Sequence, residues 1–345
     1  MARQLGQMLC IAIIGIAMIS FTACGAAKHT AVRDRLGDAQ AESVFAQRAS
    51  TAALTPLPSR GCRLGAAART QPTGEVSRER SLTSGGHTRH FLLDVPAQAA
   101  TTPDAKPVPI PLVLNIHGLM ETPGEQQLLT KMQPLARERG WAMAWPEGIG
   151  YSWNAGVCCG RAQDEESDDV RFIRDLVAQL GREMCLDLRR VYATGMSNGG
   201  FMSYRLACEA SDLIAAVAPV AGVEVVPSCT PSRPVPLLAF NGTSDLLVPH
   251  EGRPRLNFPS ADESIGRWRA RNRCSGSAST LYQRDDVSCS ASSGCTNDAS
   301  AILCTIDGGG HTWPGGMGVF FLGKTSDAVD ASSAILDFFA AHARE

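Results

Sequence analysis

Beyond residue 84 the apolar positions along this chain fall into two alternating patterns. Short apolar-biased runs occur at 111–116 (PLVLNI), 142–145, 190–194, 215–220, 235–240 and 301–306. They are too short for helices and lack the strict alternation of a half-wet strand, so they predict strands buried on both faces. Between them the spacing turns helical. Val170, Ile173, Leu176, Val177 and Leu180 recur on one helical face, behind Asp168 and Asp169, which can cap a helix running to Met184. Further helices are expected over 125–139, 198–209 and 327–343, the last capped by Ser326. A first strand, His90 to Val95, follows the turn signal Ser84-Gly85-Gly86. This alternation predicts an α/β fold, a mostly parallel sheet with helices on both faces. In such sheets the functional groups gather beyond the carboxyl ends of the strands.

The chain before that region reads differently. Residues 25–83 are rich in Ala, Arg, Ser and Thr, carry Pro56 and Pro58, and show no sustained period; they read as a tether or propeptide. Ahead of them, Met1-Ala2-Arg3-Gln4 starts positive and Leu9 to Phe21 is apolar but too short to span a bilayer comfortably. Residues 1–24 are therefore expected to be a signal peptide, leaving 84–345 as one folded domain. The run ends at Phe21-Thr22-Ala23-Cys24-Gly25. Cys24 stands where a bacterial lipoprotein carries its lipid, although Phe21 is a poorer match than Leu, so a lipid anchor and ordinary cleavage are both open readings.

Composition sharpens this picture. Hydrophobic residues make up 44% of 345, enough for a sizeable core, and a formal net charge of -2 offers no basic face for nucleic acid. Twelve cysteines are many for a reduced compartment. With Cys10 and Cys24 set aside, ten remain for the folded part. The expected location is outside the cytoplasm: secreted, periplasmic or anchored at an outer surface.

The candidate chemistry begins at Gly195-Met196-Ser197-Asn198-Gly199, a match to G-x-S-x-G. With 33 glycines in the chain the motif alone decides little. Its context decides more: Ser197 follows a strand and opens a helix, the corner at which a serine nucleophile is exposed. A hydroxyl needs a base to take its proton, and the order expected for this architecture is Ser, acid, His. Asp245 lies beyond the strand 235–240, and His311 lies on a glycine-rich loop beyond 301–306. All three fall on one edge of the sheet. His29, His87, His90, His250 and His342 sit in less suitable places, and Asp307, close to His311 in sequence, is expected to make only a turn hydrogen bond. The backbone N–H groups of Asn198 and Leu119 are the expected oxyanion donors. His117 is expected to hold its loop through hydrogen bonds rather than exchange protons.

The series Asn115 to Gly118, Trp153-Asn154-Ala155-Gly156 with Cys158-Cys159-Gly160, Asp168-Asp169-Val170, GMSNGG, NGTSD and GGGHTWPGG resembles the family of secreted feruloyl esterases and poly(3-hydroxybutyrate) depolymerase-like esterases. The likeness spans about residues 84 to 343. It implies an α/β-hydrolase fold, secretion, and a catalytic serine, acid and histidine at Ser197, Asp245 and His311. One departure stands out. Where the family often has a Cys-Gly-Gly-type run after His-Gly, this chain has Leu119-Met120-Glu121, which puts the family's substrate preference in doubt here.

Trp153 and Trp313 are read as aromatic walls that would suit a hydroxycinnamoyl ring or a sugar face. The acidic run Asp164 to Asp169 matches no calcium-loop spacing and reads as a solvated, helix-capping loop; no metal and no cofactor are expected. Cys158 and Cys159 are expected to take separate partners, with Cys229 suggested for one of them, because a bridge between neighbours is strained. Cys274, Cys289, Cys295 and Cys304 form a local group expected to staple the chain ahead of His311. The function expected is a serine carboxylic ester hydrolase acting on feruloyl esters of plant xylan or on 3-hydroxybutyrate oligomers, its partners being small or oligomeric esters and plant cell-wall polysaccharide. The alternatives are a serine peptidase on the same fold and a non-catalytic surface lipoprotein that binds polysaccharide.

Overall fold

The structure is a computed structural model that describes residues 44–46, 54–64, 77–97 and 107–345. The expected leader and Cys24 lie outside the described residues. The strands assemble into a 10-stranded sheet in the order β1-β2-β4-β3-β5-β6-β7-β10-β9-β8. They are β1 (Arg78–Ser84), β2 (His87–Asp94), β3 (Ile110–Ile116), β4 (Ala142–Pro146), β5 (Leu186–Met196), β6 (Ala216–Val220), β7 (Leu237–Gly242), β8 (Ala278–Arg284), β9 (Val287–Ser292) and β10 (Ala301–Ile306). From β4 across to β10 the pairings are parallel. Antiparallel strands extend both edges. Every expected strand forms, and β10 has the predicted limits.

Helices cover both faces. Leu112, Leu114 and Ile116 of β3 join one core cluster with Phe172, Ile173, Leu176, Phe201, Ile265 and Trp268. Val113 of the same strand joins the other, with Met132, Ala136, Ile335 and Phe338. This alternation is why β3 is apolar without a break: each face of a central parallel strand meets helices. The helices Asp169–Glu183, Asn198–Glu209 and Ala261–Arg271 belong to the first face. Pro123–Thr130, Met132–Glu138 and Ala331–Ala340 belong to the second.

Several boundaries differ from the pattern reading, each for a local reason. The helix expected over 125–139 is two helices broken at Lys131, which takes φ 51°. Pro134 has no N–H to return to the preceding turn, so one helix cannot run through it. The last helix begins at Ala331 with Asp330 as its cap. Ser326, expected in that role, instead accepts from Ala328 N–H and donates to Asp286. The helix Ala261–Arg271, too polar to stand out, is opened by Ser260 accepting the N–H of Glu263.

The expected tether is also corrected where it is described. Residues 54–64 pack onto the start of β5: Leu57 N–H reaches Asp187, Ser59 N–H reaches the Leu186 carbonyl, and Cys62 is bonded to Cys185. Residues 78–84 form β1, paired to β2 across the Gly85-Gly86 turn. Polar residues hide these segments from a hydrophobic pattern, because an edge strand needs only one partner and one dry face.

Four further disulfides occur among the described residues. Cys274–Cys295 and Cys289–Cys304 staple the expected group ahead of His311, the second directly across β9 and β10. Cys208 takes Cys229. Cys158 and Cys159 pair with each other, against the expectation of separate partners. The peptide between them is cis, and with Cys229 committed to Cys208 neither has the partner suggested for it.

Candidate active site

Ser197 sits between β5 and the helix Asn198–Glu209 with φ 55° and ψ -121°, a conformation that L residues other than glycine rarely adopt. Its N–H is held by the Val220 carbonyl at 2.9 Å, and its carbonyl starts the helix by accepting from Phe201. The corner is possible only with glycines beside it. A Cβ at Gly195 would lie 2.4 Å from the Ile116 carbonyl oxygen, and one at Gly199 would lie 2.1 Å from the same atom. The end of β3 therefore passes directly against the corner.

His311 and Asp245 meet at the same sheet edge. The His311 Nδ1–H donates to Asp245 Oδ2 at 2.7 Å, and both side chains are almost fully buried. Asp245 is itself fixed, its Oδ1 accepting from the N–H groups of Leu247 and Val248, each at 2.8 Å. The turn after β10 is held in register by Gly310 N–H on the Lys324 carbonyl and His311 N–H on the Leu322 carbonyl. With Nδ1 committed to Asp245, Nε2 is the nitrogen left to accept a proton. Asp307 stands apart, accepting from Thr243.

The loop after β3 completes the edge. His117 is fully buried, and burial lowers its pKa to about 4, so it is neutral. Its Nδ1–H donates to the Gly118 carbonyl and its Nε2 accepts from Gly148 N–H at 3.0 Å, the holding role expected of it. Gly118 lies against the corner, since a Cβ there would be 3.5 Å from Ser197 Cβ. Among the described residues, no protein acceptor takes the N–H of Leu119 or of Asn198. These are the two donors named from the sequence.

No family model matches the chain. Feruloyl esterase B of Piromyces equi is 32% identical over 218 residues, which are 58% of this chain and 39% of that protein. The chain thus spans about two fifths of that relative's length. An esterase candidate of Nocardia uniformis subsp. tsuyamanensis, NocK, is 28% identical over 75% of this chain and 81% of its own. Among solved structures, acetyl xylan esterase from Aspergillus awamori superposes with a TM-score of 0.50 over 68% of this chain and 94% of that one, at 13% identity. The chain has an α/β-hydrolase fold and is similar in sequence to proteins named as esterases.

Two expected contributors to the site are corrected. Trp153 and Trp313 are both wholly buried, so neither presents a ring face to a ligand. Trp153 donates its indole N–H to the His117 carbonyl and stacks on Phe172. Trp313 donates to Ser332. Both are large apolar residues with a satisfied polar tip, the usual condition for burying Trp. Trp153 also reveals a role the motif did not announce. The Asn198 amide accepts from Trp153 N–H at 2.6 Å and donates to its carbonyl at 3.0 Å, tying the 153–156 loop to the helix that begins beside Ser197. Glu121, too, escaped notice: its carboxylate reaches back to Gly118.

Proposed function

We propose that this protein of α/β-hydrolase fold is a serine carboxylic ester hydrolase working through an acyl-enzyme. The observation that carries the reading is the conformation of Ser197. Backbone strain of about 1–3 kcal/mol persists where the surrounding structure enforces it, and such sites cluster where chemistry is done. Here it stands at a sheet edge that also holds a buried, hydrogen-bonded His311–Asp245 pair.

In this mechanism His311 Nε2 takes the Ser197 hydroxyl proton as Oγ attacks the ester carbonyl. The oxyanion is met by Leu119 N–H and Asn198 N–H. The imidazolium, stabilised by Asp245, then gives its proton to the departing alcohol, leaving Ser197 acylated. Water enters, His311 takes one of its protons, and the second tetrahedral state collapses to free acid and Ser197 hydroxyl. Asp245 remains ionised throughout.

Xylan-borne esters are the substrate class favoured by the relatives named as feruloyl and acetyl xylan esterases, with 3-hydroxybutyrate oligomers as the other class that a serine esterase of this family type would take. Export fits the disulfides among the described residues, which persist in oxidising compartments. The test is product release from methyl ferulate, acetylated xylan and a 3-hydroxybutyrate trimer, each beside Ser197→Ala. Serine-dependent release of ferulate or acetate supports action on xylan esters, and release of hydroxybutyrate alone moves the assignment to polyesters. A wild type that does no better than Ser197→Ala on all three overturns the ester hydrolase reading.

A further inference from the structure

The turn after β3 is unusual in three respects that the serine, the histidine and the aspartate leave unexplained. First, it is strained: Met120, immediately after the expected donor Leu119, takes φ 62°, and the residue it bonds, Tyr151, takes φ 55°. Neither is glycine, the residue that adopts such angles without cost. Second, the turn is tied down from several sides. Met120 N–H donates to the Tyr151 carbonyl at 2.8 Å, and Glu121 N–H closes the turn on the Gly118 carbonyl at 3.3 Å. The same carbonyl also receives His117 Nδ1–H at 2.7 Å. Third, the Glu121 carboxyl folds back over the turn, its Oε2 accepting from Gly118 N–H at 2.8 Å. Gly118 is thus gripped at both its N–H and its carbonyl by one residue, and Leu119 N–H is the donor left over.

Lack of a side chain at Gly118 makes the grip possible. A Cβ there would come within 3.0 Å of Glu121 Oε2 and 3.5 Å of Ser197 Cβ. The carboxyl and the proposed nucleophile therefore flank the same glycine. Such a placement is costly for a free carboxylate, because negative charge beside a developing oxyanion opposes it. Burial does raise the pKa of Glu121, while Gly118 N–H and the charge of His311 pull it back down and Glu125 pushes it up.

We propose that Glu121 is a positioning residue for the oxyanion: by holding Gly118 N–H, its carboxyl sets the turn that presents Leu119 N–H to the reacting carbonyl. This inference rests on the ester hydrolase reading and adds to it a residue that touches neither substrate nor the reacting atoms. It predicts that an acceptor atom at this place matters and that its charge does not.

The experiment compares Glu121→Gln, whose amide oxygen can still accept from Gly118, with Glu121→Met, which keeps the bulk and loses the acceptor, and with Glu121→Ala. Each is measured for kcat and KM on p-nitrophenyl acetate, for inhibition by phenylboronic acid, whose tetrahedral adduct on Ser197 occupies the oxyanion site, and for thermal midpoint. Losing one oxyanion donor costs about 10²–10³ in kcat. A misplaced donor is expected to cost less than a lost one, about 30- to 100-fold, in line with small misplacements. Met and Ala variants should lose about that much kcat with KM little changed, and lose boronate affinity in parallel. Glu121→Gln should stay within about 3-fold of wild type on both. The groups facing Glu121 and His311 are Asp245, Glu125 and each other, so charge removal is read separately from the acid limb of kcat/KM. A merely structural residue would move the thermal midpoint without the parallel loss in kcat and boronate affinity, and that result overturns the proposal. So does an equal fall in Gln and Met variants, which would make the charge the active property. If Ser197-dependent turnover is missing in wild type as well, the ester hydrolase reading falls first and this inference with it.

Discussion

At the scale of single residues, the site is built from side chains and dihedral angles that work against stability. Ser197 at φ 55° is the clearest case. Replacing it with glycine removes the steric penalty of that angle, so Ser197→Gly should raise stability by about 1 kcal/mol while abolishing turnover. Thermal unfolding beside an ester assay checks both halves, and a less stable glycine variant would mean that the serine side chain is a net structural asset. His117 makes a second prediction, about acid. Its folded pKa, about 4, lies below the ordinary 6.5, so between those values the unfolded chain binds the proton and the folded chain does not. Stability is therefore lost as pH falls from about 6.5, and the loss levels off below about 4. The size is on the order of 3 kcal/mol for this fully buried ring. Urea unfolding at pH 7, 5.5 and 4 should show that extra decline in wild type and not in His117→Gln.

At the scale of elements, cross-links and loop clamps aim the side chains. The Cys289–Cys304 bond joins paired positions on β9 and β10, and β10 leads straight to His311. In the chain-entropy account a bond closing a loop of about 15 residues is worth about 3 kcal/mol, and one closing about 100 residues is worth closer to 5. Replacing both cysteines of Cys62–Cys185, which spans 123 positions, should therefore lower the thermal midpoint more than replacing Cys289 and Cys304, which span 15. Activity should rank the other way, because only the second pair lies next to the strand carrying His311. Equal activity losses from the two double variants would remove the aiming role. The Asn198 amide is a comparable clamp between two elements. Its pair of hydrogen bonds to the Trp153 backbone is buried, so Asn198→Ala leaves the Trp153 N–H unpaired at about 1–3 kcal/mol, while the Trp153 carbonyl keeps the N–H of Cys159.

At the scale of the whole molecule, several of the exposed apolar residues gather in the turns at the carboxyl edge of the sheet. Leu246, in the turn that holds Asp245, is 81% exposed, and Phe320, in the turn whose Leu322 carbonyl holds His311, is 100% exposed. Met120 and Tyr151 flank the loop carrying Leu119 and are also exposed. An apolar rim around the carboxyl edge of the sheet suits a substrate with a bulky apolar or aromatic part. Replacing Phe320 and Phe321 together with alanine should lower kcat/KM for methyl ferulate about 5- to 10-fold, in line with the burial of one or two partly covered rings. p-Nitrophenyl acetate should be affected less than about 2-fold. An equal loss on both esters would place the rings in loop support rather than in acyl recognition.

Periodicity alone determined the parallel core and the three strand ends that carry Ser197, Asp245 and His311. Those features depend on local patterns, a buried strand being apolar and a glycine corner needing its glycines. What the pattern missed was polar or long-range. β1 and β8 are edge strands with too little buried surface to show as hydrophobic runs, β9 beside β8 alternates its buried positions with serines, and residues 54–64 join β5 through hydrogen bonds and a disulfide to residues far along the chain. Trp153 and Trp313 read as ring walls because an aromatic looks the same in sequence whether its face is wet or packed; only the fold decided that both are buried. Glu121 was likewise invisible as a functional residue. Its significance lies in a carboxyl returning over Gly118 toward Ser197, a residue 76 positions later in the chain, and such proximity belongs to the packed molecule, because it depends on which strands lie side by side.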